Sequence, residues 1–205
     1  MSRHALEAGC PSAVAARRRR GRFVRAGRVT LAWLIAATLP VTVAGQAAAS
    51  RESQVKAAFL FNFGQFVTWP ADRCPATDGP FVIGVLGTDR FGETLEALTR
   101  DATIQDRPVA IERYESVEDV GTCQILFVSA SETDRLERVF DALAGKHVLT
   151  VGETPEFAAG DGVIALLLAG TRLRMEINTA AAATADLTIS SKLLRLADVV
   201  RAEGS

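Results

Sequence analysis

The segment Val55-Lys-Ala-Ala-Phe-Leu-Phe-Asn-Phe-Gly-Gln-Phe-Val-Thr-Trp-Pro70 constrains the fold more than any other part of the chain. It carries Phe59, Phe61, Phe63 and Phe66, four of ten phenylalanines, and Trp69, one of two tryptophans. Read as a helix from Ser50 to Val67, its polar positions Lys56, Asn62, Gln65 and Thr68 fall mostly three residues apart and leave only a narrow polar stripe. Such a helix is buried on most sides or covered by a partner. The Pro70 ring disfavours helical geometry at Trp69 and ends it there.

The residues before this helix read as an export signal. Arg17 to Arg20, Arg22, Arg25 and Arg28 form a basic stretch. A run of sixteen mostly apolar residues, Val29 to Ala44, follows, and then the small residues Ala44, Gly45, Ala47, Ala48 and Ala49. That order reads as a secretory signal peptide, cleaved near Ala47 or Ala49, with an uncleaved N-terminal anchor as the alternative. The run is short for a membrane span, which needs roughly 20 residues. Arg19-Arg20-Gly21-Arg22-Phe23 places Phe one position late for a twin-arginine signal, so ordinary export is expected. The expected organisation is therefore residues 1–49 as signal and 50–205 as one exported domain.

Removing the signal changes the charge. Of 23 basic and 24 acidic residues, residues 1–49 hold 8 Arg and one Glu, which leaves 15 basic and 23 acidic residues and a net charge of −8. An acidic domain is a poor match for nucleic acid phosphates and for anionic membrane surfaces. Two cysteines remain, Cys74 and Cys123, and an even number in an exported protein suggests a disulfide. The loop so closed, about 50 residues, corresponds to on the order of 4 kcal/mol in the chain-entropy treatment. Two separate buried thiols are the alternative. His147 is the one histidine of this domain, and nothing has metal-ligand spacing, so no metal or cofactor is expected.

Strand and helix patterns alternate along the domain. Phe81–Leu86, Pro108–Arg113, Cys123–Val128 and His147–Val151 read as strands, the apolar runs among them as strands covered on both faces. Phe91–Leu98 and a segment from a Ser131 cap to about Leu143 read as helices, and Pro155–Ala159 as a helical turn. Val163–Leu168 and Arg172–Ile177 read as a hairpin turning at Ala169-Gly170. Thr179–Val200 reads as a final helix. The expected fold is a three-layer α/β sandwich: a mainly parallel sheet, a C-terminal antiparallel hairpin at its edge, and helices on both faces.

Candidate chemistry is sparse. Gly84 to Gly92 follows a strand and precedes a helix, where phosphate-cradling turns occur. It lacks the glycine pattern of a dinucleotide site and the Lys-Ser/Thr end of a P-loop. His147 at a strand start reads as structural, and Asp161 between two glycines as a turn. Arg172, Arg174, Glu176 and Asn178 alternate onto one strand face. They are either a recognition face for a partner or an anionic or zwitterionic ligand, or the solvated side of a hairpin, with Asn178 as a helix cap. No arrangement of acid, base and nucleophile suggests an enzyme.

Four segments resemble the YfiR-like periplasmic proteins. Val55-Lys-Ala-Ala-Phe59, Asn62-Phe63 and Phe66-Val-Thr-Trp69-Pro70 are similar to the family's "VKAAFLYNFAKFVEWP" opening. Phe81 to Gly87 with Phe91-Gly92 resembles its first strand and turn. Val148-Leu-Thr-Val-Gly152, Phe157 and Gly160-Asp-Gly162 resemble its "LTVGD…F…GGMI" segment. Arg174 to Asn178 and Ile189 to Ala197 resemble its "RFEIN" and "SSKLLKLA" ending. The chain departs at Phe61, where the family usually has Tyr, and at Asp161, where it usually has Gly. Only one cysteine pair is available where relatives can carry two bridges. The resemblance implies a non-enzymatic regulator that binds the periplasmic sensor domain of an inner-membrane diguanylate cyclase and represses it, with redox state or small molecules modulating the repression. The expected contacts are Trp69, near Cys74, together with Arg172, Arg174, Glu176 and Asn178. A small-molecule binder feeding a sensor kinase or transport system is the alternative, and a homodimer would cover the apolar helix.

Overall fold

The computed structural model describes residues 42–70 and 79–200, with side chains from Ala49 onward. Most of the expected export signal and Cys74 lie outside these residues.

The chain opens with helix α1, Thr42–Phe66. It begins eight residues before the expected start at Ser50 and runs through both expected cleavage positions. Ala57, Leu60 and Phe63 are fully buried, and Phe59, Phe61 and Phe66 pack half-buried against the same core. Gly64 lets α1 approach the sheet, because a Cβ there would stand 2.7 Å from the Ile104 side chain. Lys56 corrects the expected polar stripe: it is 5% exposed and faces inward, away from Asn62 and Gln65.

The elements that follow are β1 (Val67–Thr68), β2 (Phe81–Leu86), α2 (Glu93–Thr99), β3 (Thr103–Ile104), β4 (Arg107–Tyr114), β5 (Ile125–Val128), α3 (Leu136–Leu143), β6 (Leu149–Gly152), α4 (Pro155–Ala159), β7 (Ile164–Ala169) and β8 (Arg172–Asn178). The chain closes with α5 (Thr179–Thr184), β9 (Thr188–Ile189), α6 (Ser191–Leu194) and β10 (Asp198–Val200). Eight strands form one sheet in the order β10-β8-β7-β6-β5-β2-β4-β3, parallel except where β7 meets β8 and β3 meets β4.

The pleat divides the core. Phe81, Ile83 and Val85 of β2 and Ile125 and Phe127 of β5 join α1 and the C-terminal elements in one apolar layer. Val82, Leu86, Leu126 and Val128 point the other way, to Val139 and Leu143 of α3 and Phe157 of α4. This is the expected three-layer sandwich, and the period of two explains why the central strands are apolar throughout. Phe157 is wedged between two glycines: a Cβ on Gly152 or Gly162 would come within 2.4 Å of its ring.

Three expectations change. Thr179–Val200 is not one helix. Asp186, at φ 57°, ends α5 in a left-handed cap, with Leu187 N–H donating to the Ala182 carbonyl at 2.9 Å and Asp186 N–H to that of Ala183 at 3.0 Å. This is the hydrogen-bond pattern that usually calls for glycine. The segment then forms β9, antiparallel to β1, and β10, parallel to β8. The hairpin is consequently not the sheet edge, since β10 lies outside β8. Finally, Ser129 rather than Ser131 starts the segment after β5, its hydroxyl accepting from the Ser131 amide, and a 3-10 stretch Ala130–Arg135 precedes α3.

Candidate functional site

From β2 the chain moves to β4 on one side and then returns to β5 on the other, so the strand order reverses between β2 and β5. Ligands of open α/β sheets collect beyond the carboxyl ends of the strands at such a reversal. The loops there are those after β2, β5 and β6.

Four amides of the Gly84–Gly92 turn are already engaged. Gly87 N–H donates to the Tyr114 carbonyl at 3.0 Å, and Thr88 N–H to the Ser131 hydroxyl at 3.0 Å. The Asp89 carboxylate accepts from Phe91 N–H at 2.6 Å and Gly92 N–H at 3.3 Å, and is itself anchored by the Arg113 guanidinium at 2.7 Å. Arg113 is held further protonated by its Asp89 hydrogen bond against the opposing effect of burial, with Glu96 adding to it. The Gly84–Gly92 turn thus carries its own anion, which leaves little for an external phosphate.

Beside this loop the inward-facing Lys56 of α1 finds its partners. Its ammonium lies 2.6 Å from Glu153, just after β6, and 2.5 Å from Glu52, one turn earlier on α1. The Lys56 and Glu153 side chains are 6% and 5% exposed. Glu153 also accepts from Ala130 N–H at 2.9 Å, and Arg90 approaches it at 3.8 Å. Burial by itself would push the Glu153 carboxyl upward. The Lys56 hydrogen bond, the Ala130 amide and the charges of Lys56 and Arg90 together hold it below the ordinary carboxylate range. Phe91 and Phe127, in edge-to-face contact at 4.8 Å, help line the resulting cleft of about 310 Å³. Two cations and two carboxylates make its polar lining neutral as a whole. Glu52 and Lys56 at i, i+4 spacing were the one trace of this cluster in the sequence; Glu153 lies 97 residues away.

The expected contact residues are dispersed. Trp69 is buried, packs edge-to-face on Phe81 at 5.4 Å, and its indole Nε1 has no hydrogen-bond partner among the described residues. Phe81 lies on β2, four strand steps from β8, or roughly 19 Å at the usual spacing. Trp69 and the β8 residues therefore do not share a site. Arg172 stands exposed at the hairpin tip. Arg174 is paired with Glu176 and with Asp198 of β10, at 3.1 Å for the latter. Asn178 is 2% exposed and fully engaged: its side-chain oxygen accepts from Ala180 and Ala181 N–H, and its amide donates to the Ala158 and Gly160 carbonyls. It caps α5 and pins the turn after α4. His147 Nδ1 sits 3.1 Å from the Ala185 carbonyl and 3.3 Å from Asp186, tying the turn before β6 to the end of α5.

Cys74, the expected disulfide partner, lies outside the described residues; among them Cys123 has no disulfide bond, and its thiol is fully buried in the α3 layer. Burial, aided by the Glu112 charge, pushes it up to about 12. Among the described residues there is no cluster of His, Cys, Asp and Glu that could hold a metal ion, and no helix long and apolar enough to cross a membrane.

Fold and site together define a doubly wound α/β domain whose switch-point cleft is lined by mutually neutralising side chains. Residues 53–198 match the YfiR/HmsC-like family. The chain belongs to that family. Among solved structures it is similar to the ABC domain in complex with L-Trp from Streptococcus pneumonia, at 11% identity and a TM-score of 0.49, covering 73% of this chain and 60% of that one. The chain thus spans less than two thirds of that structure, and a likeness so distant carries no functional argument. No curated protein matches the chain.

Proposed function

We propose that this protein is a periplasmic signalling regulator that binds the periplasmic sensor domain of an inner-membrane diguanylate cyclase and holds the cyclase inactive. The observation that carries the reading is the family match over residues 53–198. Repression requires tighter binding to the inactive state of the partner than to the active one; equal affinity would shift nothing. The β7–β8 tip is the contact we assign, because Leu168, 54% exposed, and Arg172, on opposite faces of the hairpin end, both stand in solvent there, unlike the buried Trp69 and Asn178.

The test is deletion of the gene, followed by measurement of cellular cyclic di-GMP with the intact and the Arg172→Glu proteins restored from a plasmid. Deletion should raise cyclic di-GMP, the intact protein should lower it again, and the variant should restore it poorly despite equal abundance. Cyclic di-GMP that is indifferent to deletion sinks the proposal.

A further inference from the structure

At the opposite end of the sheet from the switch point, near the amino ends of β6 and β7, lies a second cavity of about 300 Å³. Its walls come from elements that pack on different faces of the sheet. Phe140 and Leu143 of α3 form one side, Val148 and Val163 the floor, and α5 the other side. The space stays open because Ala144, Gly145, Ala181 and Ala185 supply no bulk where the two helices face each other. Its volume lies at the lower end of the range for small-molecule pockets.

The charged lining is one-sided. Asp141 and Asp161, both exposed, are its only ionisable side chains, and no Lys or Arg joins them. Lys146 follows Gly145 but does not line the cavity. The carbonyl end of α3 lies at the same wall; the amino end of α5 also lines the cavity, but its Ala180 and Ala181 amides are already capped by the Asn178 side chain. The remaining polar side chains lining it, Thr150, Asn178 and Thr184, already hydrogen-bond within the protein. A cavity with apolar residues on its floor and one side, and two carboxylates as its only charged side chains, favours an apolar body with a positive head over the corresponding anion.

We propose that this groove between α3 and α5 binds a small amphipathic amine, with its apolar part against Phe140, Val148 and Val163 and its ammonium at Asp141 and Asp161. The turn Gly160-Asp161-Gly162 acquires a role beyond chain reversal: it supplies one of the two carboxylates.

The test uses 2-phenylethylamine as probe and 3-phenylpropionate as its anionic counterpart, with calorimetric titration and thermal melting of the purified protein. The amine should raise the melting temperature by about 3 °C at ten times its Kd, and the carboxylate should not. Asp161→Asn and Asp141→Asn, both at exposed positions, should each weaken amine binding about fivefold, the size of a partly solvated charge contact. Equal binding of amine and carboxylate, no binding of the amine at 10 mM (about the weakest affinity worth calling a site), or affinity unchanged in both variants would each overturn the proposal.

Discussion

Replacing Lys56 with Met removes the cation that keeps Glu153 ionised inside the protein. Breaking a buried pair by deleting one partner costs about 3–5 kcal/mol. Glu153 retains the Ala130 amide at 2.9 Å, and Arg90, 63% exposed and 3.8 Å away, is free to swing toward it. The cost should therefore fall at the low end, about 3 kcal/mol, or a melting temperature about 6–12 °C lower for a domain of this size. The pH dependence identifies the cause. In the native protein the Glu153 carboxyl is held low. Its contribution is fully present above the unfolded value of about 4.3 and is lost as pH falls through the lower folded value. In the variant burial dominates and the carboxyl moves up, so it takes a proton on folding and escapes the penalty in acid. Urea melts at pH 7 and pH 4 should show the deficit shrinking toward pH 4. Lys56→Met combined with Glu153→Gln, whose amide oxygen still accepts from Ala130, should recover most of the loss at pH 7. A deficit below about 1 kcal/mol at pH 7, the worth of an exposed pair, or one equal at both pH values would refute the reasoning.

Three further outcomes follow from packing and hydrogen bonding. Gly152→Ala places a methyl group within 2.4 Å of the Phe157 ring; overpacking should cost about 1–3 kcal/mol in a urea melt, recovered in part by Phe157→Leu. Asn178→Ala removes an α5 cap and two bonds to the α4 turn, for about 2 kcal/mol or more, with Asn178→Asp keeping only the cap and falling between. Cys123, buried and with its thiol pushed up to about 12, should resist iodoacetamide at pH 8 in the folded protein and react once urea unfolds it without reductant. A cysteine still unreactive in urea would place it in a disulfide.

The central sheet was legible because β2 and β5 are covered on both faces, which leaves continuous apolar runs. The edges were not: β3 has two residues and β10 three, too few for any pattern. The C-terminal error has a local cause. Four alanines, Ala180 to Ala183, promise a long helix, but Asp186 takes the left-handed conformation that a glycine would have announced. At the site, a lone Lys in a helix reads as surface, and only the fold brings Glu153 to it. Alternation put Arg172 and Arg174 on one strand face, where both are exposed, yet it could not reveal that Asn178 at the end of that row turns inward to cap α5.

The pairing of β1 with β9 joins the end of α1 to a segment near the end of the described residues: Val67 faces Ile189, and Ser190 N–H reaches the Phe66 carbonyl at 2.9 Å. A ribosome or a translocation channel delivers α1 first and its partner strand more than a hundred residues later. Through that interval Phe59, Phe61 and Phe66 have no complete cover, and closing so long a loop is slow. The helix that defines this domain thus keeps apolar surface uncovered until the last strands arrive, a state open to aggregation. Chains truncated before residue 188 should be retained by holding chaperones rather than fold.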